Sequence, residues 1–158
     1  MPITLRDETV EDQLFLLEVY ASTRAQEMAL VPWSDEQRAA FVRSQFEAQH
    51  SYYQAQFPDA SYQVIMVDGE PAGRVYVLRE SEAIRILDIT LLPQHRNLGI
   101  GTSLIREILA EGDQAGKPVN IWVENFNPSL KLFERLGFVR VQEDGFNCLM
   151  EYRPPVTA

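Results

Sequence analysis

The chain has 158 residues, 46% of them hydrophobic and 23% charged, with a formal net charge of −9 and a sequence pI near 4.7. This length and balance predict a single domain, 1–158, with one core, and exclude a disordered chain. The acidic balance excludes a basic nucleic-acid-binding face and attraction to an anionic membrane, and leaves a neutral or cationic small partner or an acidic surface that serves solubility alone.

Cys148 is the one cysteine, which rules out an intramolecular disulfide and a multi-cysteine metal site. The opening MPITLRDETVEDQ has no basic and apolar leader, and no apolar run reaches the roughly 18 residues of a membrane span. A soluble, cytoplasmic protein is expected.

Ile3 and Leu5 alternate with Thr4 and Arg6, which predicts a short opening strand. Thr9 and Asp12 then form a cap for a helix reaching about Leu30, with Leu14, Leu17 and Ala21 on its inner face, widened by Phe15 and Val19. Val31-Pro32-Trp33 breaks it. Ser34 and Gln37 form a second capping pattern, and Ala39, Val42, Phe46 and Tyr53 carry a second helix to Phe57.

From Ser61 the period changes to that of a mostly apolar strand through Val67, and Asp68-Gly69 turns it into a partner, Ala72 to Arg79. A fourth strand starts at Ile84 and stops at Pro93. Gly99 and Gly101 then open a helix with Ile100, Leu104, Ile105, Ile108 and Leu109 on one face, its end bracketed by Gly112 and Gly116. Val119, Ile121 and Val123 mark the next strand, which has to run parallel to the earlier one because a helix crosses between them.

Asn127 as cap and Pro128 as first helical residue begin a short helix ending at Gly137. Phe138 to Val141 and Phe146 to Tyr152 are the last strands, turned by Asp144-Gly145. The order β-α-α-β-β-β-α-β-α-β-β predicts an α/β (α+β) fold, a mixed, mostly antiparallel sheet of about seven strands with four helices packed on it.

The strand, turn and helix around Gly99 and Gly101 form a place where backbone N–H groups can approach an anion. A Walker A loop needs Gly-Lys-Ser/Thr, and here Thr102-Ser103 follows Gly101 with no lysine. A dinucleotide fingerprint needs a third glycine where Leu104 stands. What remains is Arg-x-x-Gly-x-Gly at Arg96–Gly101.

In LLPQHRNLGIGTSLIREIL and in NPSLKLFERLGF the chain resembles the GNAT superfamily of acyl-CoA-dependent N-acetyltransferases, and the element order is also that family's. The resemblance covers nearly the whole chain. It implies acetyl-CoA as co-substrate, with its pyrophosphate at Arg96, Asn97, Leu98, Gly99, Ile100, Gly101 and Thr102. It also implies a central parallel strand pair that splays, so that backbone near Leu91 and Leu92 meets the pantetheine arm as an added strand would. Asn127 would lie by that arm, with Asn125 its rival; many members carry an asparagine one residue before Asn127, where Phe126 stands in this chain. Arg96 either adds charge or faces solvent. No metal is implied, the acceptor is a primary amine of a small molecule or peptide, and a homodimer is compatible with the fold.

Transfer to an amine needs a base, a polarised carbonyl and a proton for the thiolate. Glu124, at the end of the fifth strand, and Asp88, within the fourth, are the candidate bases, and Glu124 is preferred. His95 sits on the turn, remote from the reacting end. His50 reads as a helix-surface residue or a substrate contact, Trp33 as an anchor between helices or a pocket wall, and Cys148 as a buried apolar thiol.

The family's usual tyrosine acid is replaced by Phe133, which keeps the packing and loses the proton. Tyr20, Tyr76, Tyr152 or water would have to supply it. The leading expectation is therefore an N-acetyltransferase. The alternatives are a catalytically weakened CoA-binding sensor and, less favoured, a mononucleotide-binding domain.

Overall fold

The computed structural model describes residues 1–155; the end of the expected domain, 156–158, lies outside them. The strands are β1 (Ile3–Asp7), β2 (Ser61–Val67), β3 (Glu70–Arg79), β4 (Ile84–Leu91), β5 (Val119–Glu124), β6 (Val139–Glu143) and β7 (Asn147–Tyr152). The helices are α1 (Gln13–Ala29), α2 (Asp35–Gln56), α3 (Ile100–Ala115) and α4 (Ser129–Arg135). The strands form one mixed sheet in the order β1-β2-β3-β4-β5-β7-β6. None of the described helices is long and apolar enough to cross a membrane.

The chain resolves into two compact units, Met1–Arg74 with Thr90–His95, and Val75–Ile89 with Arg96 onward. In the first, β1 pairs antiparallel with β2 from Ile3↔Val67 to Asp7↔Gln63. The Thr9 cap forms as expected, but on a 3-10 turn, Val10–Asp12, that precedes α1. Its acidic member has two tasks: the Asp12 carboxylate accepts the Thr9 N–H at 2.8 Å and both terminal nitrogens of Arg6 at 2.8 and 2.9 Å.

The face expected for α1 is rotated. Leu16, Val19 and Tyr20 are buried, whereas Leu14 is 76% exposed. Apolar residues occupy positions 14 to 17 without a break, so spacing leaves the centre of the stripe undecided, and packing of Leu16 and Tyr20 with Val42 and Phe46 of α2 decides it. The Ser34 and Gln37 capping box opens α2 as expected, while Ala39 turns out exposed. The Tyr62 hydroxyl donates to the Phe57 carbonyl at 2.7 Å and fastens β2 to the end of α2. Asp68 and Gly69, with φ of 52° and 81°, make the two-residue hairpin turn into β3.

In the second unit, α3 buries Ile100, Leu104, Ile105, Ile108 and Leu109, the stripe expected from spacing. At roughly 2 kcal/mol for each large aliphatic side chain, this face contributes on the order of 10 kcal/mol before conformational entropy is subtracted. Gly112 does not end the helix. It lies inside it, where an added Cβ would come within 2.8 Å of the Lys117 carbonyl and 2.9 Å of the Val119 side chain, so the missing side chain is what lets the chain fold back closely. Gly116, at φ 66°, ends the helix.

β4 and β5 run parallel, as a crossing helix requires, and β5 pairs antiparallel with β7 from Val119↔Tyr152 to Glu124↔Asn147. β6 pairs with β7 and carries one extra residue, Val141, between the Arg140↔Met150 and Gln142↔Leu149 pairs. Pro128 has φ −58° and ψ −21°, and α4 follows it to Arg135.

Candidate functional site

The glycine turn is built from the backbone. Asn97 (φ 62°) and Gly99 (φ 82°) both take the left-handed conformation, which asparagine and glycine adopt at low cost. Gly99 caps α3 and brings no side chain to the task, since none bonds the first turn. The Ser103 N–H reaches the Gly99 carbonyl at 3.0 Å. The N–H groups of Ile100, Gly101 and Thr102 therefore have no acceptor within the helix and stand at its positive end. Ile100 is 1% exposed and anchors the turn in the core, while Leu98 is 54% exposed and faces outward. Arg96 and Asn97 are exposed, and His95 is half-buried at the end of a 3-10 turn, Pro93–His95.

The parallel pair is short. Its register comprises Ile84↔Val119, Arg85↔Asn120 and Ile86↔Ile121, while β4 runs on to Leu91 and β5 to Glu124. The buried and half-buried alternation of Ile84–Ile86 is also lost from Leu87 to Leu91, all of them half-buried.

Alternation places Glu124 with Asn120 and Trp122, on the face opposite Val119, Ile121 and Val123. Val119 lies against Gly112, so α3 covers the Val119 side. Asp88 lies two residues past Ile86, the last residue of β4 paired with β5, in the stretch where the burial alternation is lost. Glu124 is exposed and Asp88 half-buried.

Leu91 and Leu92 fall in the first unit, where β3 approaches them closely. A Cβ at Gly73 would sit 2.1 Å from the Thr90 carbonyl oxygen and 2.9 Å from the Leu91 Cα, so only glycine fits. The Leu92 N–H donates to the Ala72 carbonyl and its own carbonyl accepts from the His95 N–H, both at 2.9 Å. Sequence reasoning passed over Gly73. Its signal was a glycine within an otherwise apolar strand run.

The two asparagines after β5 differ in what they have left to offer. The Asn127 Oδ1 accepts the Ser129 N–H at 2.9 Å and caps α4. The Asn125 N–H donates to the Phe146 carbonyl at 2.8 Å, but its Oδ1 is buried with no partner among the described residues. A buried acceptor in that condition calls for a donor, and an amide N–H of a pantetheine arm is one that fits.

Phe133 is 3% exposed, edge-on to Phe138 at 5.2 Å, and serves packing. The Tyr152 hydroxyl donates to Asp113 at 2.8 Å, a bond that pushes its pKa up. Tyr152 also pairs with Val119, at the end of β5 away from Glu124, so it is remote from the place where β4 and β5 part. The Tyr20 hydroxyl accepts from Arg24 at 3.2 Å in the α1 and α2 core of the first unit, and Tyr76 is 2% exposed within β3.

Cys148 is fully buried opposite Val123, and burial raises its thiol pKa, as befits an apolar thiol. His50 stacks on Phe46 at 6.1 Å, and Trp33, 40% exposed, packs edge-on to Phe41 at 5.3 Å. No group of three or more metal-ligating side chains occurs among the described residues.

Comparison with known proteins agrees with this geometry. The profile of the family described as "Acetyltransferase (GNAT) family" matches residues 24–138. Mycothiol acetyltransferase of Clavibacter sepedonicus is 31% identical over 77 residues, 48% of this chain and 24% of that protein, so the match spans about a quarter of that relative's length. Among solved structures, the PaiA N-acetyltransferase of Thermoplasma acidophilum in complex with coenzyme A superposes with a TM-score of 0.71 at 20% identity, over 97% of this chain and 99% of that one. An acetyltransferase from Thermus thermophilus gives 0.68 at 18% identity, over 97% of each chain. At those identities the likeness concerns the fold.

Proposed function

Because the chain belongs to the acetyltransferase (GNAT) family, we propose that it transfers an acetyl group from acetyl-CoA to the primary amine of a small molecule or peptide by direct attack, as one cytoplasmic domain spanning 1–158. The observation that carries this reading is the turn at Asn97–Thr102, with two left-handed residues and three N–H groups that have no acceptor within the helix. Those amides and the positive end of α3 hold the two phosphates of the donor, and Arg96 adds a charge beside them. The buried Oδ1 of Asn125 accepts from the pantetheine arm, a role for which Asn127, already used as a cap, is less suited.

The co-substrate supplies the acyl thioester. Glu124, exposed at the end of β5 beyond the last parallel pair, takes the proton of the amine directly or through water; Asp88 is the second candidate. The amine nitrogen bonds to the thioester carbon, the carbon–sulfur bond breaks, and the thiolate takes a proton from water, since Phe133 has none to give. A thiol-release assay over an amine panel tests this. Turnover above background with at least one amine, reduced by Glu124→Gln, supports it.

A second reading is favoured by one observation, the hydroxyl-free and buried Phe133. A protein that binds acetyl-CoA tightly and turns over no amine in that panel is a coenzyme-binding sensor instead.

A further inference from the structure

The last ladder pair of β5 and β7 is Glu124↔Asn147, and one step beyond it the Asn125 N–H donates to the Phe146 carbonyl at 2.8 Å. This bond ties the loop that leaves β5 to the turn that enters β7, with Phe126 on the first and Phe146 on the second. Phe126 is 86% exposed and Phe146 77%, and the other six phenylalanines of the chain are buried or half-buried. Trans-peptide geometry keeps the Phe126 Cα within about 7 Å of that of Glu124, and the ladder pair puts the Phe146 Cα within about 9 Å of it.

Both aromatic residues are carried by fixed turns. The Asp144 carboxylate accepts the N–H groups of Phe146 at 3.1 Å and Asn147 at 2.8 Å, the Asp144 N–H donates to the Asn147 carbonyl at 3.0 Å, and Gly145 turns with φ 97°. On the other loop the Asn127 N–H donates to the Glu124 carbonyl at 3.0 Å and closes the turn that contains Phe126. Two large apolar side chains are thus held in water beside an exposed carboxylate, an arrangement that costs hydration free energy until an apolar group covers the rings.

The neighbouring charges define what fits. Glu124, Glu143 and Asp144 stand on these loops and strand ends, and the backbone N–H groups of Asn147 and Phe146 hold the Asp144 carboxyl below its ordinary value. The nearby cation Arg140 is paired with Glu143 at 3.4 Å. An anionic ligand is repelled here. An amine that arrives as an ammonium on an apolar body is drawn in, its nitrogen toward Glu124 and its body against the rings.

We propose that Phe126 and Phe146 form the acceptor subsite and select an amine whose nitrogen is carried on an apolar body over one with a hydrophilic body. The proposal rests on the acetyl-transfer reading above, in which the pantetheine arm meets Asn125, between Glu124 and Phe126 in the chain, and names the class of its acceptor.

Thiol release with acetyl-CoA tests it by comparing 2-phenylethylamine with ethanolamine, which share the aminoethyl group and differ in phenyl against hydroxyl. In wild type, kcat/KM is expected to be about tenfold higher for 2-phenylethylamine, the order of what one aromatic contact contributes. The double variant Phe126→Ala/Phe146→Ala is expected to bring that ratio to near one, mainly through KM, whereas Phe126→Tyr/Phe146→Tyr, which keeps the rings, retains it. Circular dichroism confirms that the exposed substitutions leave the fold intact, and titration calorimetry of each amine into the CoA-saturated protein reads the same preference without chemistry. Turnover with no preference in wild type, or a preference that survives the loss of both rings, overturns the inference and leaves acetyl transfer standing. Ring-dependent binding of 2-phenylethylamine with turnover of neither amine supports the subsite and counts against transfer. Neither binding nor turnover of either amine overturns the inference, and the wider amine panel then decides the transfer reading separately.

Discussion

At the scale of single residues, one hydroxyl and one carboxylate make separable contributions. Phe133→Tyr restores a phenol at the position of the family's usual acid, next to Phe138. If proton delivery to the thiolate limits turnover, kcat rises by roughly 100-fold, the low end of what a positioned general acid contributes, and thiol release reads it. A flat kcat would show that water already suffices.

Asp12 concerns folding instead. The Arg6 guanidinium, with the Thr9 N–H, holds its carboxyl at about 2, below the ordinary carboxylate value. Because the folded value is depressed, the stabilisation is complete above the unfolded pKa near 4 and is lost as pH falls from there toward 2. Asp12→Asn is expected to cost about 1–2 kcal/mol at neutral pH and to flatten that acid slope, as urea denaturation at a series of pH values would record. The identity of Phe133 was legible in the sequence because it departs from a motif. The orphaned oxygen of Asn125 was not, since hydrogen-bond saturation exists only once the chain has folded around it.

At the scale of elements, glycines separate propensity from packing. Helix propensity alone favours Gly112→Ala by about 1 kcal/mol. The contact at 2.8 Å to a backbone carbonyl, which cannot swing aside as a side-chain tip would, reverses the sign. Net destabilisation of about 1–3 kcal/mol is expected, and the same for Gly73→Ala, where the obstruction is the backbone of Thr90 and Leu91. Chemical denaturation of both variants checks this; stabilisation of either would show that the backbone yields more easily than the geometry implies.

The same contrast explains what could be read in advance. The stripe of α3 was legible because its five apolar residues admit one face, and the caps at Thr9 and Ser34 because they are local chemistry. The face of α1 was ambiguous where apolar residues ran unbroken, and α2 had to choose it. Gly112 read as a stop because local rules treat glycine as a breaker, whereas a close neighbour explains it.

At the scale of the whole molecule, the measurable consequence is linkage. Acetyl-CoA at about 100 times its Kd stabilises a protein that binds it by about 2.7 kcal/mol, which for a chain of this size raises Tm by roughly 5–10 °C. A thermal scan with and without the ligand reads it, and no shift at saturating concentration would count against coenzyme binding. Sequence predicted the parallel β4 and β5 pair, because a single crossing helix leaves no other direction. It said nothing about β7 lying between β5 and β6, since a hairpin can dock by either strand. Nor did it name the acceptor, whose recognition depends on how side chains of distant segments meet.

The sheet order ends at β6, whose five residues are all exposed, Val139 and Val141 at 57% and 45%. A regular edge of that kind would invite another chain to dock and continue the ladder, the first step toward fibres. The extra residue at Val141 puts that edge out of phase, so an incoming strand cannot match its donors and acceptors along the whole length. A single surplus valine thus interrupts the regular ladder that an incoming strand would need.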